Sequence, residues 1–266
     1  MDPLPSVSIV TISFDQAGFL PVCLDSVCSQ KAPGVEYIVV DPGSTDGSRE
    51  ILHAYAARGG IDRLVMEPDQ GPADGLNKGF ALATGEIFGY INSDDRIAKG
   101  ALNYVRRFFA AYKDVDVLCG AIRMIDEDGK AALRGRMADR FDVRRYAAGV
   151  CTIGQQATFF RSRAFERAGG FNVANRIAWD GELLVDMALS GARFARRPKV
   201  LGDFRIRRGT ITSSTNYGER LREYEEVLKK KLQAKGISLH SKVSERTMRL
   251  GYKLNLFRHA SYLFAR

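Results

Sequence analysis

The sequence predicts an α/β protein with a mostly parallel central sheet flanked by helices. Three observations carry that prediction. Short β-branched runs alternate with helix-periodic stretches over the first 120 or so residues, the pattern of successive βα units. The strand-like runs are almost wholly apolar, as strands covered on both faces are. The chain has 266 residues, 45% hydrophobic and 27% charged, which is enough to bury a sizeable core.

Val7–Phe14 (VSIVTISF) reads as the first buried strand. Ala17–Ser29 follows with Phe19, Leu20, Val22, Cys23, Leu24, Val27 and Cys28 at helical spacing, so both cysteines fall on an apolar stripe and read as core. Tyr37–Asp41 (YIVVD) is a second strand ending at an acid. In the PGSTDGS turn, Ser44 or Thr45 is placed to cap a helix running to about Ala57. Arg63–Glu67 is a third strand, Pro68–Gly71 a turn and Ala73–Ala83 a helix. Glu86–Ile91 is a fourth strand, stopped by Asn92-Ser93-Asp94-Asp95. A helix over Ala101–Tyr112 and a strand over Val115–Cys119 complete the alternation.

Beyond residue 120 the rhythm changes. Ile122–Ile125 and Lys130–Leu133 read as a hairpin around Asp126–Gly129. A strand at Ala157–Phe160, helices at Ser162–Ala168 and Trp179–Ser190, and a strand at Phe204–Arg207 follow. Two basic helices, Tyr217–Lys235 and Val243–Phe264, are divided at Gly236. The reading is one catalytic unit of residues 1–215 with a basic helical extension over 216–266.

Several classes are excluded. No apolar run reaches the ~20 residues of a membrane-spanning helix. The N-terminal MDPLPS lacks the basic, then apolar, character of a secretory signal, so the expected location is cytoplasmic. The four cysteines and three histidines have no zinc or disulfide spacing. There is no GxGxxG, no GxxxxGK[ST] and no GxSxG, against a dinucleotide-binding Rossmann protein, a P-loop NTPase and an α/β-hydrolase.

Charge is unevenly placed. The net charge is +9, yet residues 1–192 sum to −4 and residues 193–266 to +13. That asymmetry points to an anionic partner. On Val243–Phe264, Leu250, Leu254, Phe257 and Phe264 share one face and Arg246, Arg249 and Lys253 another, with Lys229-Lys230-Lys231 before them. The pattern fits a helix lying in a membrane interface, so residues 229–266 are expected to meet an anionic membrane surface at the inner face, as a peripheral contact. Packing of the apolar face on the catalytic unit is the other reading.

Ligands of open α/β sheets bind beyond the carboxyl ends of the strands. Here those ends carry Asp15, Asp41, Asp69 and Asp94-Asp95. Clustered carboxylates repel one another, and a hard divalent cation, Mg2+ or Mn2+, would relieve them.

With these residues in view, the chain resembles the inverting family 2 glycosyltransferases, which have the GT-A, nucleotide-diphospho-sugar transferase fold. The resemblance lies in VSIVTISFDQAGFLPVCLDSV, YIVVDPGSTDGS, EPDQGPADGLNKGFALATGEIFGYINSDD, GQQATFFRSRAFERAGGF and AWDGELLVDMALSG, in order over four-fifths of the chain. It implies a donor half over about 1–120, an acceptor half over about 121–215, and transfer of a sugar from a nucleoside diphosphate, UDP by family habit. The acceptor hydroxyl would sit on a glycan or a lipid-linked carrier. By the same resemblance Asp95 coordinates Mn2+ or Mg2+ and Asp94 contacts the donor. Phe14 packs on the base and Asp41 closes the nucleotide pocket. Asp69, Asp74 and Asn77 line the donor side, Lys78 lies near the phosphates, and Asp180 is the general base. Two positions depart from the family pattern. Pro42 stands where some members have a second Asp, and Arg207 stands where many have a His near the diphosphate; an arginine there still suits a diphosphate.

A sugar-phosphate nucleotidyltransferase would want a Gly-rich, Arg-bearing loop after the first strand, which TISFDQAG lacks. A nucleic-acid binder is suggested by the basic tail, but the tail lacks aromatic stacking platforms, and no nucleic acid is expected.

Overall fold

The computed structural model describes residues 3–210, 215–239 and 241–259. Its first half is the expected alternation. Strands β1 (Val7–Ile12), β2 (Val35–Val40), β3 (Arg63–Val65) and β4 (Ile87–Asn92) run parallel, with β1 between β2 and β4. Helices α1 (Leu20–Cys28), α2 (Ser48–Ala57), α3 (Pro72–Ala81) and α4 (Ala101–Ala111) connect and follow them. The period-2 alternation of a strand sorts the core into two layers. Ile9, Tyr37 and Val39 pack with α1, α2 and α4 on one face. Val10, Ile38 and Val40 pack with α3 on the other, where α7 (Trp179–Leu189) adds Leu183, Leu184 and Met187. A Cβ on Gly79 would stand 2.5 Å from Val10 Cγ1, so α3 rests on β1 at a distance only glycine permits.

The sheet then extends through β8 (Thr158–Arg161), antiparallel to β4, and β6 (Val117–Ile125), antiparallel to β8. Strand β9 (Phe194–Arg205) lies parallel to β6, and the two-residue β5 (Arg96–Ile97) closes the order β3-β2-β1-β4-β8-β6-β9-β5, with β7 (Ala131–Met137) paired to β6. The remaining helices are α5 (Val143–Ala147), α6 (Ser162–Ala168), α8 (Tyr217–Ala234) and α9 (Lys242–His259).

Four local expectations change. The strands expected at 115–119 and 122–125 are the single strand β6, with register shifts around Gly120. Strand β9 begins at Phe194, ten residues before the expected strand, because FARRPKV is half exposed and its charges hide the pattern. Helix α5 was not legible: it has five residues, and its start is fixed by Asp142, whose Oδ1 accepts from the Arg145 N–H at 2.9 Å. Helix α2 begins at Ser48 behind Gly47, not at a Ser44 or Thr45 cap, because Ser44 is bound to Asp41.

Helix α8 does not stand apart from the rest. Tyr224, Leu228 and Leu232 form a buried cluster with Ala147 of α5 and Val185 of α7. Much of its basic charge is internally paired. Lys231 bridges Glu182 and Asp186 of α7, Lys229 bridges Glu226 and Glu245, and Arg249 of α9 meets Glu225. Tyr252 of α9 donates to Asp139 Oδ2. Of these pairs only Lys231 draws on acids outside residues 193–266, so pairing lowers the segment's net charge little. Val243 and Leu250 are exposed; the side chains of Leu254 and Phe257, and all of Phe264, lie outside the described residues. Among the described residues no helix is long and apolar enough to cross a membrane.

Candidate active site

The carboxyl ends of β1 and β4, the 3-10 turn Gln155–Ala157, the start of α7 and one face of α8 enclose a cleft of about 1030 Å³. It is the crevice that an open parallel sheet leaves beyond its strand ends.

On one side, carboxylates sew the loops after β1 and β2 together. Asp41 is fully buried. Its Oδ1 accepts from the Gly43 and Ser44 N–H groups at 3.0 and 2.8 Å, and its Oδ2 from the Ser44 hydroxyl at 2.6 Å. Asp15 adopts φ 48°, a left-handed conformation short polar side chains tolerate, and its Oδ1 accepts from the Thr45 N–H at 2.8 Å. Asp46 accepts from the Ala17 N–H at 2.8 Å and the Ser48 hydroxyl at 2.6 Å. The result is an apolar edge formed by Pro42 and by Phe14, which is 59% exposed. Asp41 is thus placed otherwise than expected. Both of its oxygens build the turn, and Pro42 rather than Asp41 lines the cleft.

The acids and amide around α3 separate in the same way. Asp69 lines the cleft; its Oδ1 accepts from the Gly71 N–H at 2.8 Å, and burial raises its pKa. Asp74 accepts from the Gln70 N–H at 2.9 Å and lies 3.6 Å from Lys78, which donates to the Pro68 carbonyl. Asn77 clamps Phe171, donating to its carbonyl and accepting from its N–H, each at 2.9 Å. Asp74, Asn77 and Lys78 were expected to line the donor side. At i, i+3 and i+4 they share a helix face that braces the 68–70 loop and the 170–171 turn, and none of them lines the cleft.

The ends of β4 and β9 meet at the pair Asp94-Asp95. Asp95 is 2% exposed, its Oδ1 accepts from the Arg205 N–H at 2.8 Å and its Oδ2 from Gln156 Nε2 at 2.7 Å. Burial and the neighbouring Asp94 charge raise its pKa. Asp94 turns outward. Its Oδ2 accepts from Arg207 Nε at 3.0 Å, and Arg207 Nη2 donates to Gln16 Oε1 at 2.9 Å. The Arg205 and Arg207 guanidinium carbons lie 5.1 and 4.9 Å from the Phe19 ring centre, so Arg207 is held on three sides at the cleft wall.

Across the cleft, Asp180 opens α7. Burial raises its pKa, and the backbone N–H groups of Asp180 and Gly181 oppose that shift, as expected at a helix N-terminus. Four tyrosines line the same end. Burial first and the Asp180 charge second push the hydroxyl pKa of Tyr90, Tyr146 and Tyr217 up; Tyr224 feels the same charge. A Cβ on Gly181 would stand 2.1 Å from the Tyr146 hydroxyl, so glycine is what lets Tyr146 reach the helix start. Among the described residues five carboxylates line the cleft: Asp69, Asp94, Asp95, Asp180 and Glu225. Asp94 and Glu225 are paired with arginines, and Asp95 is bound within a buried network. Asp69 lies in the field of Lys78 and Arg176. Among the described residues no cation perturbs Asp180.

Four buried side-chain atoms lack a hydrogen-bond partner among the described residues: Ser13 Oγ, Asn92 Oδ1, Gln155 Oε1 and Tyr224 Oη. All four belong to residues that line this cleft. Unpaired buried polar atoms are costly, and these gather on the wall of the cleft, where they offer donors and acceptors to whatever enters it. Sequence reading missed them, although GQQATFF contained Gln155 and Gln156 and INSDD contained Asn92.

The donor set bears on a metal. Among the described residues no three His, Cys, Asp or Glu gather as a cage. Asp94 and the unpaired amide oxygen of Asn92 are hard oxygen donors on one strand end. That fits a Mg2+-type ion, which uses one or two protein ligands and leaves its other positions to phosphates and water.

Comparison with known proteins agrees with this architecture. Residues 8–169 match the family model Glycosyl transferase family 2. A Mycobacterium bovis protein named PGL/p-HBAD biosynthesis glycosyltransferase is 31% identical over 183 residues, covering 66% of this chain and 68% of its own. The hyaluronan synthase of Pasteurella multocida is 23% identical over 238 residues, 90% of this chain and 24% of its own. In structure, S. aureus TarS 1–349 in complex with UDP-GlcNAc superposes with a TM-score of 0.66 at 19% identity, over 96% of this chain and 73% of TarS. The Pyrobaculum calidifontis mannosyltransferase PcManGT, in complex with GDP-Man and Mn2+, gives 0.63 at 19% identity, over 96% and 70%. The chain belongs to glycosyl transferase family 2 and is a glycosyltransferase of GT-A fold.

Proposed function

We propose that this enzyme moves a sugar from a nucleoside diphosphate, UDP by preference, to a hydroxyl of a glycan or lipid-linked acceptor, inverting the anomeric centre. The observation that carries the reading is Asp180: a carboxylate at a helix start, with no cationic partner among the described residues, facing the same cleft as Asp94 and Arg207. In the reaction the acceptor oxygen bonds to the anomeric carbon as the bond from that carbon to the diphosphate oxygen breaks. The electron pair leaves with the diphosphate and the hydroxyl proton passes to Asp180. Burial suits Asp180 to that task, since a raised proton affinity makes a better base near neutral pH. One carboxylate suffices for a single displacement.

On the donor side, Phe14 and Pro42 offer faces for a planar base, and Arg207, held by Asp94 and Gln16, offers donors to the diphosphate. Asp94 with Asn92 would hold Mn2+ or Mg2+, and such an ion neutralises charge on the leaving group. Asp94 replaces Asp95 in that role because both Asp95 oxygens are occupied. The bound UDP-GlcNAc of TarS and the GDP-Man and Mn2+ of PcManGT support a nucleotide-sugar donor and a divalent ion. The names of the M. bovis and P. multocida relatives support a glycoconjugate or glycan product. The catalytic unit in this reading runs past residue 215 to include α8, which walls the cleft.

The test is to incubate the protein with a panel of UDP- and GDP-sugars, Mn2+ and candidate acceptors, following nucleoside diphosphate release and product anomer by NMR. Release coupled to an inverted linkage is expected. A retained anomer, or release that ignores both acceptor and Asp180→Asn, overturns the proposal.

A further inference from the structure

This inference rests on the catalytic reading above and concerns what carries the acceptor hydroxyl. The part of the cleft beside Asp180 is built unlike the donor side. Its wall comes mainly from α8, which contributes Tyr217, Leu221, Tyr224, Glu225 and Leu228, and from Ile177 and Trp179 at the start of α7. Leucine and isoleucine side chains cannot pair the hydroxyls of a sugar ring, and leaving such hydroxyls unpaired is costly. Of the polar groups on this wall, Glu225 is ion-paired with Arg249, and one buried polar atom is left unmatched among the described residues. Tyr224, 7% exposed, presents a hydroxyl with no partner among the described residues. A chamber of aliphatic and aromatic surface with one unpaired hydroxyl, next to the base, matches a group that is apolar except near the reacting oxygen.

We infer that the acceptor bears an apolar aglycone, an aryl or alkyl group, seated against α8, with Tyr224 Oη bonded to a polar atom beside the attacked hydroxyl. The apolar group buries surface against the partly exposed Leu221, Ile177 and Tyr217, and the hydroxyl beside it is brought to Asp180. A free glycan with hydroxyls all around fits this wall poorly.

The chain's single tryptophan is Trp179, on the chamber wall, so its fluorescence reports occupancy. Phenyl and hexyl β-glucosides are titrated against methyl β-glucoside, with calorimetry in parallel. At about 25 cal/mol per Å² of apolar surface, burying a phenyl or hexyl group gives about tenfold tighter binding or more. Leu221→Gln should abolish most of that preference. Tyr224→Phe should weaken phenyl glucoside binding several-fold while leaving the melting temperature unchanged or higher, an outcome that a merely structural tyrosine would not give. UDP affinity with Mn2+, measured in the same samples, should be unaffected by either change. Equal affinity for methyl and phenyl glucosides, binding of neither, or a preference that survives Leu221→Gln overturns the inference. Loss of UDP binding in the wild type with the phenyl preference intact would instead overturn the catalytic reading.

Discussion

On the side of the cleft at the strand ends Asp15, Asp41, Asp46 and Asp95 are occupied by backbone N–H groups and polar side chains, whereas across it, among the described residues, Asp180 meets backbone N–H groups in a ring of tyrosines. The first set is structural. Hydrogen bonds to charged acceptors are strong, and they lock irregular loops beside the sheet so that Phe14, Asp94 and Arg207 are presented rigidly. The second arrangement leaves a carboxylate in a poorly solvated site, which raises its proton affinity. An acid that is easy to see in a motif is therefore not the same as an acid that is free to react.

That contrast breaks most severely at Asp180. Asp180→Asn should lower kcat by roughly 10²–10⁴, the usual worth of a general base, with UDP affinity unchanged in a calorimetric titration. A near-normal turnover would place the base elsewhere.

The adjacent pair Asp94 and Asp95 sharpens it within two residues. Asp94→Asn should cost about tenfold or more in the Mn2+-dependent part of UDP affinity, a loss of about 1.4 kcal/mol, with little change in melting temperature. Asp95→Asn should do the reverse. An amide cannot accept from both Gln156 Nε2 and the Arg205 N–H, so about 1–3 kcal/mol of stability is lost while the cation dependence remains. Matching UDP titrations and denaturant melts of the two variants would expose an exchange of these roles.

Gly181→Ala tests the proposed acceptor side through packing alone. Its Cβ would collide with the Tyr146 hydroxyl, so a destabilisation of about 1–3 kcal/mol is expected, together with a higher acceptor KM and an unchanged donor KM. Equal effects on both KM values would mean that the two sides are not independent.

The smallest effect is on pH. In its proposed role Asp180 acts as a base only when ionised, and burial raises its pKa. Activity should therefore fall on acidification at a pH above the ordinary carboxylate range. The neighbouring Tyr90, Tyr146, Tyr217 and Tyr224 titrate above their normal range and do not enter that limb. An acid limb in kcat/KM at an ordinary Asp pKa would show the site to be better solvated than its packing implies.

Much of this was readable from residues in order. The βα alternation gave β1 to β4 and α1 to α4 to within a few residues, because β1, β2 and β4 are largely buried on both faces and their apolar runs stand out. Asp94, Asp180, Phe14, Asp69 and Arg207, picked out in sequence, all line the cleft. Asp41, Asp74, Asn77 and Lys78 belong to the same motifs but serve turns and braces. Sequence spacing shows that a polar residue stands near a strand end, and cannot show which backbone N–H group claims it first.

The sequence by itself determined the α/β layers and the acids beyond the strand ends, because periodicity and strand-end chemistry are local properties. Only the tertiary structure decided that β9 pairs with β6, that Gln156 from a distant turn occupies Asp95, and that α8 supplies a wall of the cleft. Those choices depend on contacts between residues about 60 to 110 positions apart, such as Gln156 with Asp95 and the Arg205 N–H with Asp95. Whether a carboxylate ends up structural or reactive follows from which of those long-range partners reaches it.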